Sequence, residues 1–201
     1  MSMNVQPVTL TGHIVHLEPL ADAHVPDLAK VGLEERIWRH MLYGNIDTVE
    51  KMRAFVQDML ARQAQGNDLP FAVIYRQSGR AIGCTRYMNI RRQHRSVEIG
   101  GTWYGLDYQR TGVNTECKYL LLGHAFETWG CIRVQLKTDT RNAPSMRAIE
   151  RLGAVKEGVH RKHIITPEGV IRDSVFYSII DDEWPQVKAR LETLMRTGNR
   201  R

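Results

Sequence analysis

Apolar positions along the first third of the chain repeat with two different periods, and each period predicts an element. His13–Leu17 alternates between apolar and polar residues, which predicts a strand, and Ala21–Lys30 is predicted as a short helix. Across Asp47–Gln65 the apolar residues recur every three or four positions, which is typical of an amphipathic helix. Asp47 and Glu50 have the spacing of a capping pair at the start of this helix.

Strand-like and helix-like segments are interleaved through the rest of the chain. Two strand-like runs joined by a turn at Gly79 predict a hairpin, and Pro144 and Gly153 lie where helix termini favour these residues. The order of elements predicts a mixed α+β fold in three layers and disfavours an all-parallel, doubly wound sheet. The predicted strands are Phe71–Arg76, Ala81–Ile90, Ser96–Tyr104, Ile132–Thr138, Val155–Ile164 and Val170–Ile180, and the predicted helices are Val113–Trp129, Ala143–Leu152 and Asp181–Leu194.

Composition indicates one globular domain over residues 1–201. The chain is 42% hydrophobic and 25% charged, and its apolar runs are far shorter than the ~20 residues that cross a bilayer. The first residues do not show the basic and apolar pattern of a secretory signal, so none is predicted. Cys84, Cys117 and Cys131 are odd in number and form no CxxC pair. We expect reduced, mostly buried thiols in a cytoplasmic protein.

The net charge of +6 is compatible with several kinds of partner. A positive field attracts nucleic acid, an acidic protein surface or a phosphorylated cofactor, and charge alone does not choose among them. The sequence has no helix-turn-helix, zinc-knuckle or RNP-type pattern, which makes nucleic acid an unfavoured partner. His160 and His163 lie in a basic stretch without further metal ligands. They are interpreted as a solvated basic edge, and no metal is predicted.

A polar loop connects the predicted strand Ser96–Tyr104 to the predicted helix Val113–Trp129. Unpaired backbone N–H groups and the helix dipole form an anion site at such a junction, suited to a pyrophosphate. Gly112 would let the backbone approach the phosphate closely, and Arg110 would add charge. An ordinary strand-to-helix connection explains the same glycine. The chain has neither a Walker loop nor a GxGxxG fingerprint.

The residues of this loop resemble the acetyl-CoA motif of the GNAT superfamily of N-acetyltransferases. Gln109-x-x-Gly112-x-Asn114 matches the family's Gln/Arg-x-x-Gly-x-Gly/Ala pattern, except that Asn114 stands where Gly or Ala is usual. Thr111–Glu116 is similar to the Thr-Gly-Val-Asn-Thr-Glu stretch of a RimJ/RimL-like subgroup. The departure at Asn114 therefore narrows the resemblance to that branch.

Two more motifs follow the family's order. Asn142-Ala143-Pro144-Ser145 and the later Leu152-Gly153-Ala154 resemble the signature Asn-x-x-Ser…Leu-Gly-Phe, with Ala154 in place of Phe. Glu98-Ile99-Gly100…Trp103 resembles the Glu-Ile-Gly-Tyr-Trp strand of the RimJ/RimL branch, with Gly101 and Thr102 altering the spacing. The resemblance covers about residues 10–180, and the predicted last helix, about 181–195, follows it.

The resemblance implies a fold and a cofactor. Members have a mostly antiparallel sheet whose fourth and fifth strands, here Ser96–Tyr104 and Ile132–Thr138, splay apart to admit acetyl-CoA. The pantetheine arm would pair with the fourth strand through main-chain atoms, and the pyrophosphate would bind the N–H groups of the loop. The implied cofactor-binding residues are Trp103, Tyr104, Gly105, Gln109, Arg110, Thr111, Gly112, Val113, Asn114, Thr115, Asn142 and Ser145.

Two residues are candidates for catalysis. Glu98 is the candidate base, acting through water; strand alternation would place it on one face with Gly100, Thr102 and Tyr104. A solvated or salt-bridged carboxylate is the alternative for Glu98. The resemblance implies that Ser145 stabilises the departing thiolate, and a helix-capping serine is its alternative. Asn142 is expected both to contact pantetheine and to cap this helix.

The implied reaction is transfer of an acetyl group from acetyl-CoA to a primary amine, by direct attack within a ternary complex. The acceptor stays open between a protein or peptide N-terminal α-amine, ribosomal proteins included, and a small-molecule amine. The loops around Val31–Asn45 and the last hairpin would set this choice. A non-catalytic acyl-CoA-binding module is the alternative function. The branch also suggests a homodimer.

Overall fold

The computed structural model describes residues 3–198 as eight strands and six helices. The strands are β1 (Leu10–Thr11), β2 (Val15–Pro19), β3 (Leu69–Tyr75), β4 (Arg80–Arg91), β5 (Ser96–Tyr104), β6 (Arg133–Asp139), β7 (Val155–Ile165) and β8 (Ile171–Ile180). The helices are α1 (Val25–Gly32), α2 (Glu35–Trp38), α3 (Val49–Ala64), α4 (Val113–Gly123), α5 (Ala143–Leu152) and α6 (Trp184–Gly198).

All eight strands form one sheet in the order β1-β2-β3-β4-β5-β6-β8-β7. Only β5 and β6 run parallel, and they pair over just three positions, from Ser96 opposite Arg133 to Glu98 opposite Gln135. Beyond these positions β5 continues to Tyr104 beside β4 and β6 continues beside β8. This confirms the predicted sheet and its splay; the splayed strands are numbered five and six because β1 was not predicted.

Two apolar cores lie on opposite faces of the sheet. Alternation along β3 sends Val73 into one core and Ala72 and Ile74 into the other. The first core is covered by α4, α5 and α6, and the second by α1, α2 and α3. The second core extends no further than Trp103 of β5, so helices do not cover that face of β6, β8 and β7. We call this uncovered surface the open face.

Several element boundaries differ from the prediction. Thr48, and not Asp47, caps α3: its hydroxyl accepts a hydrogen bond from the Lys51 N–H at 3.2 Å, while Asp47 forms an ion pair with Lys51. The long helix predicted to Trp129 ends as an α-helix at Gly123 and continues through five residues of π-helix. The first helix starts later than predicted, at Val25, after a short 3-10 turn.

The three cysteines are free and buried, as predicted. Burial raises the pKa of each thiol above its ordinary value, to about 12 for Cys117 and Cys131. Thiols in such surroundings are poor nucleophiles, because the reactive species is the thiolate. The cysteines therefore contribute packing to the cores.

Candidate active site

A cleft opens where β6 leaves β5. After Glu98 and Gln135 the two strands stop pairing, although β5 runs on for six residues and β6 for four. Within residues 3–198, no strand pairs with this edge of β5 between Ile99 and Tyr104. The cleft therefore presents a strand edge with peptide groups available to a ligand.

A β-bulge shapes β5 at the mouth of the cleft. Gly101 and Thr102 together lie opposite one residue of β4, because Gly100 pairs with Arg86 and Trp103 with Cys84. Gly101 has φ of +58°, a left-handed conformation that glycine adopts readily. The bulge interrupts the alternation of side chains along the strand.

The prediction that Glu98, Gly100, Thr102 and Tyr104 share one face is therefore wrong. Thr102 and Tyr104 face α4: the Thr102 hydroxyl accepts a hydrogen bond from Lys118, and the Tyr104 hydroxyl donates one to Asn114. Glu98 faces the opposite side, because its neighbours Val97 and Ile99 belong to the core under α4. The extra residue in the bulge is the physical cause.

Glu98 sits in a polar cluster on the open face. It is 2% exposed, and its Oε2 accepts hydrogen bonds from Asn89 Nδ2 and Gln135 Nε2, both at 2.9 Å. Lys137 Nζ lies 3.0 Å from Oε1 and 3.1 Å from Oε2. The structure thus contains the salt bridge that was the alternative interpretation of Glu98. Oε1 has only the Lys137 contact among residues 3–198, so it retains capacity for a water molecule.

The Glu98 cluster lines a cavity of about 460 Å³ on the open face. Two ion pairs belong to this cavity, Glu98 with Lys137 and Glu157 with Arg133. His160 and His163 are exposed, as expected for a basic edge, and they line the same cavity. Partial loss of hydration, followed by the charge of Lys137, lowers the pKa of His163.

On the other side of the cleft, side chains brace the loop before α4. Gln109 Nε2 donates a hydrogen bond to the Tyr104 carbonyl at 3.1 Å, and the Thr111 hydroxyl donates one to the Tyr108 carbonyl at 2.7 Å. Arg110 has φ of +60° and is exposed. α4 then begins at Val113, after Gly112, without a strong side-chain cap. The Val113 N–H donates to the Thr111 hydroxyl at 3.3 Å, and the N–H groups of Asn114 and Thr115 remain available to an anion.

Two of the predicted main-chain contacts already have protein partners. The Tyr104 carbonyl accepts the hydrogen bond from Gln109, and the Gly105 N–H donates to the Ile82 carbonyl at 2.9 Å. The backbone exposed to the cleft lies further upstream, between Ile99 and Trp103. Asn114 Oδ1 accepts a hydrogen bond from the Tyr104 hydroxyl at 3.2 Å. This contact gives a structural reason for an amide side chain at the position where Gly or Ala is usual.

α5 begins just after the end of β6, the strand that forms the other side of the cleft. Asn142 Oδ1 accepts the Ser145 N–H at 3.1 Å, so Asn142 is the helix cap, as predicted. Ser145 is therefore not the cap, and its alternative interpretation does not apply. Among the described residues, the Ser145 hydroxyl has no hydrogen-bond partner and is partly exposed.

Comparison with known proteins decides the family. Residues 15–155 match the family model described as an acetyltransferase (GNAT) domain. The chain belongs to the GNAT acetyltransferases. A solved structure from T. thermophilus, provisionally described as an acetyltransferase, is 37% identical and superposes with a TM-score of 0.86, covering 95% of this chain and 98% of the other.

Further relatives agree with the RimJ/RimL branch of the GNAT family. A protein of Bacillus subtilis (strain 168), provisionally described as the ribosomal N-acetyltransferase YdaF, is 27% identical over 64% of this chain and 68% of its own length. Mycobacterium smegmatis RimJ, solved in complex with CoA-disulfide, shares the fold with a TM-score of 0.77 at 22% identity, over 95% of this chain and 94% of the other.

Sequence reasoning missed two basic residues beside this GNAT cleft. Lys118 Nζ donates to the Thr102 hydroxyl at 2.8 Å, and burial lowers the pKa of Lys118 to about 8. Arg151 of α5 donates to the Thr115 hydroxyl at 2.8 Å, at the first turn of α4. Lys118 lies one helical turn before Leu122 on the face predicted as core, which was a usable signal. Arg151 gave none.

Glu116 is a third residue that the sequence did not reveal. Its buried carboxylate accepts hydrogen bonds at 2.7 Å from the N–H groups of His13, Ile14 and Val15. These three contacts fasten the β1–β2 turn to the first turn of α4. Glu116 therefore stabilises the contact between the β1–β2 turn and α4, and its carboxylate is not available to a ligand.

Within residues 3–198, no helix is long and apolar enough to cross a membrane. The same residues contain no group of three His, Cys, Asp or Glu side chains arranged to hold a metal ion.

Proposed function

We propose that this protein transfers an acetyl group from acetyl-CoA to a primary amine by direct attack in a ternary complex. The parting of β5 from β6 after three residue pairs carries this proposal. It leaves a strand edge beside the open N-terminus of α4, and these two features suit the amides and the phosphates of one elongated cofactor.

The donor would bind on the α4 side of the cleft. Its pyrophosphate fits the N–H groups of Gly112–Thr115, with Arg110 and Arg151 supplying positive charge. Pantetheine would follow the free edge of β5 from Ile99 to Trp103, where its amides can replace the missing strand. The Asn142 side chain keeps its Nδ2 group for pantetheine, because only Oδ1 caps α5.

The acceptor would enter from the open face, where Glu98 lies. The attacking amine must be neutral, and a water molecule on Glu98 Oε1 would take its proton as the new C–N bond forms. The thioester oxygen then carries a transient negative charge until the C–S bond breaks and CoA leaves as a thiolate. The free hydroxyl of Ser145 would stabilise this thiolate by a hydrogen bond.

The segment between α2 and α3 would help to select the acceptor. It reaches across the open face to the last hairpin, since the His40 carbonyl accepts a hydrogen bond from Arg172 at 3.2 Å and Gly44 approaches Pro167 and Glu168. The likeness to ribosomal N-acetyltransferases favours protein N-termini for the test panel, beside small amines. A homodimer and a cytoplasmic location stay predictions.

One observation favours the alternative of a non-catalytic acyl-CoA-binding module. Glu98 is already bound by an ammonium group and two amides, which leaves few positions on its carboxylate for an amine or a water molecule. Such a module would bind acetyl-CoA and would release no CoA in the presence of any amine.

Release of free CoA thiol from acetyl-CoA, measured over a panel of amines, distinguishes the two functions. The panel contains peptides with free N-termini, the same peptides with blocked N-termini, and small amines; mass spectrometry identifies the acetylated product. Transfer to a free amine, absent with its blocked counterpart, is the expected result. Tight binding of acetyl-CoA without turnover would favour the module, and absence of binding would contradict both functions.

A further inference from the structure

Two polar side chains, those of Glu98 and Tyr43, approach the glycine pair Gly100-Gly101 at the bulge of β5. A Cβ atom placed on Gly100 would lie 3.4 Å from Glu98 Oε1, and one placed on Gly101 would lie 2.8 Å from Tyr43 Oη. The Tyr43 hydroxyl therefore lies against the β5 backbone at Gly101, where the Arg86 side chain also approaches, and Glu98 lies against the preceding glycine. Glycine at position 101 is what allows this approach, because any other residue would displace the hydroxyl.

The ring of Tyr43 is held on several sides. Phe55 packs against it edge-on with ring centroids 5.0 Å apart, and Trp38 does the same at 6.4 Å. The Arg86 guanidinium lies 5.6 Å from the ring centroid. These contacts fix the direction of the hydroxyl, so it does not depend on a hydrogen bond for its position.

The hydroxyl itself is uncommitted. It forms no hydrogen bond with any residue in the range 3–198, although the ring is mostly buried. Burial raises the pKa of Tyr43, so the phenol stays protonated at neutral pH and acts as a donor rather than a base. A fixed donor without a partner is suited to a ligand atom that gains negative charge.

We propose that Tyr43 is a catalytic residue whose hydroxyl donates a hydrogen bond to the thioester oxygen. This assignment rests on the proposed acetyl transfer. As the amine nitrogen bonds to the carbonyl carbon, the C=O π electrons move to oxygen and Tyr43 stabilises that oxyanion. The electrons return when the C–S bond breaks, and the amine proton leaves by way of Glu98. Tyr43 keeps its own proton throughout.

Tyr43→Phe removes this donor and retains the ring contacts with Phe55 and Trp38. We expect kcat to fall on the order of 100-fold, while KM for acetyl-CoA and the thermal unfolding midpoint stay close to the wild type. Tyr119→Phe is the matched control: its hydroxyl bonds Glu192 on α6, away from the cleft, and its loss should leave kcat unchanged.

Each outcome of this comparison is decisive. Equal kcat for Tyr43→Phe and the wild type would overturn the assignment and leave acetyl transfer intact. A rise in KM for acetyl-CoA without loss of kcat would also overturn it, because this is the effect of packing alone. Failure of the wild type to acetylate any amine would remove the proposed function, and the role of Tyr43 with it.

Discussion

On the α4 side of the cleft, the groups that would face the proposed cofactor are mostly backbone atoms from one continuous stretch, Ile99–Thr115. On the open face they are side chains from separate elements: Tyr43 follows α2, Glu98 lies on β5, and Lys137 lies on β6. Substituting a side chain leaves the backbone atoms in place, whereas each side chain on the open face has one position and one set of partners. Mutations should therefore affect the two sides differently: those on the open face through kcat, and those at the phosphate end of the donor side through cofactor affinity. Ser145 is the exception on the donor side, because its hydroxyl would meet the departing thiolate and so act on kcat.

The largest effect is expected from Glu98→Gln. Loss of the proton acceptor should lower kcat roughly 100-fold or more, with little change in KM for acetyl-CoA. Steady-state kinetics with the best amine of the panel measures this. Glu157→Gln is the control, because it breaks the Glu157–Arg133 ion pair on the same face. Comparable losses of kcat in both variants would show that general electrostatics of the cavity, and not Glu98, matters.

Ser145→Ala should have the next largest effect. A hydrogen bond to a charged group contributes about 1.5–3 kcal/mol, so its loss should lower kcat about tenfold or more. Binding of acetyl-CoA, measured by calorimetry, should barely change. The cap of α5 is retained, since it uses the Ser145 N–H and the Asn142 side chain. If affinity for acetyl-CoA falls instead of kcat, Ser145 is a binding residue only.

The local structure on the donor side shows where sequence reasoning succeeds. The donor side was predictable because its parts are local: a loop with Gly112 before a helix, and Asn142 three residues before Ser145, recur as short motifs. The open face was not, since Tyr43 meets Gly101 only through tertiary packing and Glu98 meets Lys137 only through the register of β5 and β6. The pair Gly100-Gly101 was a usable signal for the bulge, and the alternation of side chains predicted for this strand does not hold across it.

A smaller effect is expected from Arg151→Gln on the donor side. Removing an exposed charge near the proposed phosphate site should raise KM for acetyl-CoA about three- to tenfold at low salt, with kcat unchanged. The difference from the wild type should shrink as ionic strength rises. Arg62→Gln, at an exposed position of α3, serves as the control. Equal KM values across the salt series would place Arg151 outside the phosphate site.

Lys118→Met should change stability rather than activity. The ammonium is 5% exposed and has no carboxylate within ion-pair distance among residues 3–198. Its pKa is lowered from 10.5 to about 8, so between these pH values the unfolded chain binds more protons and stability rises with pH. Below pH 8 Lys118 is protonated in both the folded and the unfolded chain, so the free-energy cost of burying its charge is present in full.

Chemical denaturation of Lys118→Met and the wild type at pH 7 and pH 10 measures this cost. The variant should be more stable at pH 7 by about 1–3 kcal/mol, and the advantage should shrink at pH 10. A variant that is less stable than the wild type at both pH values would show that the hydrogen bond to Thr102 outweighs the burial of charge.

A structure of the protein with CoA tests the central claim most directly. The account predicts pantetheine along the edge of β5 from Ile99 to Trp103 and the pyrophosphate on the N–H groups of Gly112–Thr115. The sulfur would then lie at the bulge, between Ser145 on one side and Tyr43 and Glu98 on the other. Binding of CoA at another surface, with the cleft between β5 and β6 empty, would contradict it.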